Sequence, residues 1–205
     1  SLDGRIALAS GASAWITGEA ARADVQHWRA AASVVLTGIG TVLADDPRLT
    51  ARVDVPCVPP VRVVIDSHGR LPTTARVLDS QAPTWIATTQ AGAEVLSARL
   101  PTATLLVTDC GADGRVGLPA LMARLAERGA NDVLVEAGGT LGGALLDADL
   151  VDEWLLYQNP CLLGDAGRPV FAGANPASMA ARRQWRLLEQ RIVGDDLRLR
   201  LAPVR

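Results

Sequence analysis

The sequence predicts an α/β protein built on a mainly parallel sheet, and three observations carry that expectation. Short apolar runs alternate with stretches of helical periodicity along most of the chain. The runs Val34-Val35-Leu36, Val63-Val64-Ile65 and Val133-Leu134-Val135 are apolar without interruption, as interior parallel strands covered on both faces require. Near the end, the turn-like Val193-Gly194-Asp195-Asp196 divides the extended segment Trp185–Leu201, which predicts an antiparallel hairpin added to the parallel sheet.

The expected strands are Ile6–Ala9, Ser33–Thr37, Arg62–Asp66, Thr84–Thr88, Thr104–Thr108, Asp132–Glu136 and Glu153–Gln158. The expected helices are Gly18–Ala31, Gly117–Arg128 and Thr140–Asp147, with a short one after Thr37 that Pro47 ends. Thr17 suits the N-cap of the first helix and Glu19 its positive end. Ala21, Val25, Trp28 and Ala32 form its apolar stripe, with Arg22, Gln26 and Arg29 on the adjoining polar edge, so Arg29 can reach into a cleft. Residues 164–180 are rich in Gly, Ala, Asn and Pro and read as a surface loop. No shift in composition marks a second domain.

With 205 residues, 49% of them apolar, the chain has ample material for a core. Its formal charge is -2, and it lacks the basic excess of a nucleic-acid binder. There is no lysine, so every cationic contact falls to arginine, the better bidentate partner for phosphate. Cys57, Cys110 and Cys161 are odd in number and widely spaced, which speaks for a reducing, cytoplasmic setting and against disulfides or zinc. No apolar run is long enough to span a bilayer, and no signal peptide is visible. The chain starts at Ser1-Leu2-Asp3-Gly4 without methionine, as a segment of a longer product would.

Three polar or glycine-rich segments follow apolar strands, where open α/β sheets bind ligands. Thr37–Arg52 contains Gly38-Ile39-Gly40, which lacks the third glycine of the dinucleotide fingerprint and by itself reads as a turn with a solvated acidic end. Asp66-Ser67-His68-Gly69-Arg70 offers a hydroxyl and an arginine to an anion, though an ordinary polar turn has the same composition. Glu136-Ala137-Gly138-Gly139-Thr140-Leu141-Gly142-Gly143-Ala144 joins a strand to a helix. It fits an anion site at a helix N-terminus and a plain glycine-rich connection equally well. A desolvated Glu136 at the strand end would serve as a proton donor. The nucleophile elbow, the P-loop and the zinc-deaminase signature are all missing, and His27 and His68 are too few for a histidine triad or metal cluster.

Taken in order, Ser1-Leu2-Asp3-Gly4-Arg5-Ile6-Ala7, Gly11-Ala12-Ser13-Ala14-Trp15-Ile16-Thr17, Asp24-Val25-Gln26, Leu36-Thr37-Gly38, Thr41-Val42-Leu43-Ala44-Asp45-Asp46-Pro47-Arg48-Leu49-Thr50, Val135-Glu136-Ala137-Gly138, Val151-Asp152-Glu153 and Pro160-Cys161-Leu162-Leu163-Gly164 resemble the reductase half of the bifunctional riboflavin-biosynthesis deaminase/reductases. The resemblance runs over almost the whole chain and implies a dihydrofolate-reductase-like, three-layer α/β/α fold. It implies one reductase domain over residues 1–205, with the usual deaminase domain, fused or separate, outside this sequence. It implies NADPH as hydride donor and 5-amino-6-(5-phosphoribosylamino)uracil, a phosphorylated aminopyrimidine, as the small-molecule substrate. A homodimer is implied as well, with no nucleic-acid or membrane partner. Position by position, the implied cofactor contacts are Trp15, Thr41, Asp45, Ser67 and Gly138, Gly139, Thr140, Leu141, Gly142, Gly143 and Ala144. The implied substrate contacts are Ser13, Arg29, Leu49, Arg52 and Glu136. Arg52 is the first choice for the substrate phosphate, assisted by Ser13 and Arg29, and Glu136 is the candidate catalytic residue. Members often carry another residue, proline among them, where this chain has Gly139.

Two rival readings stand beside this one. A related reductase acting on another pterin or pyrimidine would not need Ser13, Arg29 and Arg52 if its substrate carried no phosphate. A non-catalytic nucleotide-binding module would not oxidise NADPH in the presence of the aminopyrimidine.

Overall fold

The computed structural model describes all residues from Ser1 to Arg205. In chain order the elements are β1 (Arg5–Ala7), α1 (Glu19–Ala31), β2 (Val34–Gly38), α2 (Ile39–Asp45), β3 (Val61–Ile65), β4 (Thr84–Thr88), α3 (Gln90–Arg99), β5 (Thr104–Val107), α4 (Leu118–Glu127), β6 (Val133–Val135), α5 (Gly139–Asp147), β7 (Trp154–Gln158), β8 (Arg168–Pro169), β9 (Trp185–Val193) and β10 (Asp196–Pro203). They form two compact units, one of residues Gln26–Ala137 and the other of Ser1–Val25 with Gly138–Arg205. No helix is long and apolar enough to cross a membrane.

The unit Gln26–Ala137 is built on a five-stranded, wholly parallel sheet in the order β5-β4-β3-β2-β6. The apolar runs of β2 and β3 are buried on both faces, as their lack of alternation demands, whereas the run Val133-Leu134-Val135, expected in an interior strand, forms the edge strand β6 and is only half-buried. One face carries Val35, Val64 and Ile86, which join Ile39 and Val42 of α2, Leu96 of α3, the loop residues Leu49 and Leu71 and Val77 of a short 3-10 turn (Arg76–Leu78) in one core cluster. The other face carries Val34, Leu36, Val63, Ala87 and Leu106, all buried. Leu121 and Leu125 of α4 are buried too, and Arg128 just beyond that helix lies 5.3 Å from the centre of the Trp85 ring on β4. Each fully buried leucine or isoleucine contributes about 1.5–3 kcal/mol.

Helix α3 was not among the helices expected from periodicity, because its alanines and Gly92 blur any apolar stripe. Its start is nevertheless written locally: the Thr89 hydroxyl caps it by accepting from the Gly92 amide. Gly92 has a steric reason as well. A Cβ there would lie 2.2 Å from Thr88 Oγ1 and 2.6 Å from the Ser67 carbonyl.

In the second unit the hairpin β9–β10 forms as expected, but it does not extend the parallel sheet. It pairs with β7 in a separate antiparallel sheet of order β7-β10-β9, while β1 pairs with β8. The segment 164–180 thus contains a short strand. The reason for the separate sheet is chemical. One face of the β9–β10 hairpin bears Glu189, Arg191, Arg198 and Arg200, and a parallel sheet dry on both sides has no place for it. Arg198 donates to Asp24 and Glu189, and Arg200 to Glu153 and Glu189, so four charged groups share one chain of bonds with Asp24. The opposite face is uncharged: Trp154 and Leu156 of β7, Leu197, Leu199 and Leu201 of β10 and Leu187 and Ile192 of β9 are at most half-buried.

Two outcomes follow. Gly92→Ala overpacks the α3 entry and should cost about 1–3 kcal/mol, lowering the thermal midpoint by several degrees, whereas Gly40→Ala in α2, whose Cβ meets nothing within 4 Å, should be neutral or stabilising. Equal midpoints for the two variants would contradict the packing described. The second outcome concerns pH. Hydrogen bonds from Arg198 and then Arg200 hold the Glu189 carboxyl below its ordinary range, against the opposing effect of burial. Its stabilisation is therefore present above about pH 4.3, the unfolded value, and is lost as pH falls through the lower folded value. Urea midpoints measured down this range should fall less steeply for Glu189→Gln than for the parent chain.

Candidate functional site

The segment after α2 is a strap held at several points. Asp46 caps α2 in a left-handed conformation, φ 41°, and its Oδ1 accepts from the Arg76 amide at 2.8 Å. Leu49 has φ 55°, an uncommon torsion for a leucine that costs about 1–2 kcal/mol. The cost is met by packing, since the Leu49 side chain is buried in the core cluster. Leu49 can therefore offer a ligand its backbone but not its side chain.

Helix α1 grips the same strap from its polar edge. Gln26 Oε1 accepts from the Arg52 amide at 3.2 Å, and Arg29 Nη1 donates to the Thr50 carbonyl at 3.0 Å. The spacing of the two side chains, one helical turn, places them on one face. Arg29 also makes a two-pronged ion pair with Glu136, Nε to Oε1 at 2.6 Å and Nη2 to Oε2 at 2.7 Å. The pair is largely shielded, with 13% of the arginine and 25% of the glutamate side chain exposed. The Glu136 backbone is fixed as well, its carbonyl accepting from the Thr37 hydroxyl at 2.7 Å. Glu136 is thus an oriented acceptor with both oxygens engaged by a cation.

Among the residues singled out in the sequence, Arg29, Leu49, Arg52 and Glu136 come together through these bonds. Arg52 is exposed, and its guanidinium has no ion-pair partner. Thr41 is half-buried and Asp45 exposed, one turn apart on α2. Ser67 stands apart from the strap, at the end of β3. Its hydroxyl accepts from the Val116 amide at 3.1 Å and its carbonyl accepts from the Thr89 hydroxyl at 2.7 Å, so part of its bonding capacity is structural.

In the other unit, Ser13 is half-buried. Trp15 is 77% exposed, with the Arg22 guanidinium 4.6 Å from its ring centre. Helix α5 opens at Gly138 with no side-chain cap, which leaves its first amides free for a ligand. The glycines of the run differ in purpose. A Cβ on Gly139 would come within 2.6 Å of the Pro169 carbonyl and one on Gly143 within 2.2 Å of the Ala172 carbonyl, so these two permit close backbone packing. Gly142 has open space around it, Gly138, Thr140 and Ala144 are exposed, and Leu141 is half-buried.

Sequence reasoning placed Gln26 on the polar edge of α1 but gave it no task, and it did not single out Thr50 or Thr37. Thr50 and Thr37 take part through a carbonyl and a short hydroxyl bond, for which no residue pattern gives a sign.

The fold and this cluster define an α/β protein with polar groups gathered where parallel strands end. The chain matches the family model described as the RibD C-terminal domain over residues 1–199, and it belongs to that family. It is 40% identical over 214 residues to the riboflavin biosynthesis protein RibD of Escherichia coli (strain K12), covering 98% of this chain and 57% of that protein. It is 28% identical to a protein of Buchnera aphidicola subsp. Acyrthosiphon pisum (strain APS) named 5-amino-6-(5-phosphoribosylamino)uracil reductase, covering 96% of this chain and 99% of that one. Among solved structures, Acinetobacter baumannii RibD superimposes with a TM-score of 0.85 at 39% identity, over 100% of this chain and 56% of that one. The chain therefore spans a little over half the length of the RibD relatives it matches. The likeness establishes the dihydrofolate-reductase-like α/β fold, with a parallel central sheet and a C-terminal antiparallel hairpin.

Proposed function

We propose that this chain reduces 5-amino-6-(5-phosphoribosylamino)uracil to the corresponding ribitylamino compound, with NADPH as reductant, in riboflavin biosynthesis. The observation that carries the reading is the oriented Arg29–Glu136 pair beside the strap that presents Arg52. It stands in a chain that matches the Buchnera reductase over nearly the whole length of both. Arg52, exposed and unpaired, is assigned the substrate phosphate, with Ser13 assisting. A hydrogen bond to a charged group is worth about 1.5–3 kcal/mol. Glu136, held by Arg29, accepts from a pyrimidine N–H, and the Leu49 backbone lies along the same strap.

The free amides at the start of α5 suit a pyrophosphate, and the open Trp15 ring suits a flat group, so the residues present fit a dinucleotide. Gly138–Ala144, Trp15, Thr41 and Asp45 are assigned to it, and Ser67 with Arg70 to the 2′-phosphate that distinguishes NADPH from NADH. When bound, the nicotinamide supplies a hydride to the sugar carbon; the chain supplies position and electrostatics. The companion deamination belongs to a fused or separate deaminase, in keeping with the greater length of the RibD relatives.

The uncharged face of the β7-β10-β9 sheet supports a homodimer, because a broad apolar face left open on a single copy is the mark of an association site. Sedimentation should give two copies, and Leu199→Arg one; a parent chain that is monomeric at every concentration overturns the dimer.

The reaction is tested by following NADPH absorbance on addition of the phosphorylated aminopyrimidine. Turnover is expected with NADPH in preference to NADH, and equal rates would remove Ser67 from its role. Arg52→Ala should raise the substrate KM roughly 10- to 100-fold, the loss of one charge-assisted bond, and leave NADPH affinity within about twofold. A parallel loss of both affinities would show that Arg52 does not read the substrate.

A further inference from the structure

Arg62 is a buried charge that the proposed reaction does not use although it reaches toward its machinery. It is the second residue of β3, the central strand of the sheet, with its side chain 0% exposed. Its guanidinium donates to none of the neighbouring strands. Nη1 donates to Asp79 Oδ1 at 2.7 Å and to the Arg48 carbonyl at 3.3 Å, and Nη2 donates to the carbonyls of Asp79 and Ala82. Asp79 turns the other way as well, its Oδ2 accepting from Arg48 Nε at 3.0 Å. Arg48 is therefore held twice, by its carbonyl and by its side chain, immediately before the left-handed Leu49.

An apolar residue of similar volume generally serves a core at least as well as a buried ion pair. Stability alone is a weak reason for this arrangement, whereas the choice of acceptors is specific. On its far side the strap is held by Gln26 and Arg29, which also fixes Glu136. The Arg62–Asp79 pair is the opposing grip, so residues 49–52 are stretched between two charged anchors.

We propose that Arg62 and Asp79 are positioning residues for substrate recognition, holding the Arg48 end of the strap so that Leu49, Thr50 and Arg52 meet the substrate in register. The pair touches no ligand and acts through the backbone; the substrate part of the inference rests on the reading given above. The Asp79 carboxyl is held below its usual range, first by the hydrogen bond from Arg62, in keeping with an anchor that stays charged.

The test uses Arg62→Met, Asp79→Asn and Asp79→Glu in the full chain, with two readouts. Amide exchange over residues 48–52 should quicken in the first two variants while the rest of the sheet keeps its protection. Their KM for the phosphorylated aminopyrimidine should rise about tenfold, with the cofactor KM within about twofold. Asp79→Glu, which retains the carboxylate, should return both readouts most of the way to the parent values. If Arg62→Met does not fold, the half-exposed Asp79→Asn decides. Unchanged exchange over 48–52, exchange quickened throughout the sheet, or substrate and cofactor KM rising together would each overturn the proposal. A parent chain that turns over none of this substrate sinks the reaction reading, while exchange still rules for or against the anchor.

Discussion

The bidentate pair of Arg29 and Glu136 is the interaction on which the rest of the site depends. It joins the polar edge of α1 to the carboxyl end of β6, and through Arg29 it extends to the Thr50 carbonyl. A planar guanidinium with five donors can serve two oxygens of one carboxylate and a third acceptor elsewhere, which an ammonium cannot do with fixed geometry. The pair sits where solvent is largely excluded, so its attraction is less screened than that of a surface bridge, and its orientation is correspondingly firm.

Around that pair, the sheet does the placing. Five parallel strands bring their carboxyl ends to one edge, and the segments that follow β2, β3 and β6 carry the strap, Ser67 and Glu136. The strap is not a free loop. Its leucine is packed in the core and its backbone is bonded from α1 on one side and from Arg62 on the other. A ligand group arriving there meets atoms whose positions were settled during folding, which reduces the ordering that binding must still pay for.

Much of this was legible in the sequence, and the reasons differ by element. Uninterrupted runs such as Val34-Val35-Leu36 and Val63-Val64-Ile65 announced a parallel sheet because strands dry on both sides can be apolar throughout, whereas the equally apolar Val133-Leu134-Val135 lies in the edge strand β6 and is only half-buried. The stripe of α1 put Gln26 and Arg29 on one edge, and that edge is what holds the strap. Helix α3 escaped notice because it packs through small residues, where backbone approach replaces an apolar stripe. The hairpin's separate sheet was readable in principle from the charges alternating along Glu189, Arg191, Arg198 and Arg200, but a turn motif says only that two strands pair, not what third strand they join. The two-pronged state of Glu136 was out of reach, since its partner lies 107 positions away and spacing along a chain carries no distance in space.

Leu49 shows how narrow a structural choice can become without any chemistry at the residue itself. The position asks for a torsion that branched and bulky residues resist and for a side chain that fills an apolar hole. Glycine would relieve the first demand and leave a void for the second; asparagine tolerates the torsion but carries an amide into a dry interior. Few of the twenty amino acids satisfy both, and leucine does so only because its neighbours on either side are tied down. Variation at this site is thus governed by the torsional and volumetric fit of a spectator, so tolerance to mutation here measures how well the strap is tethered.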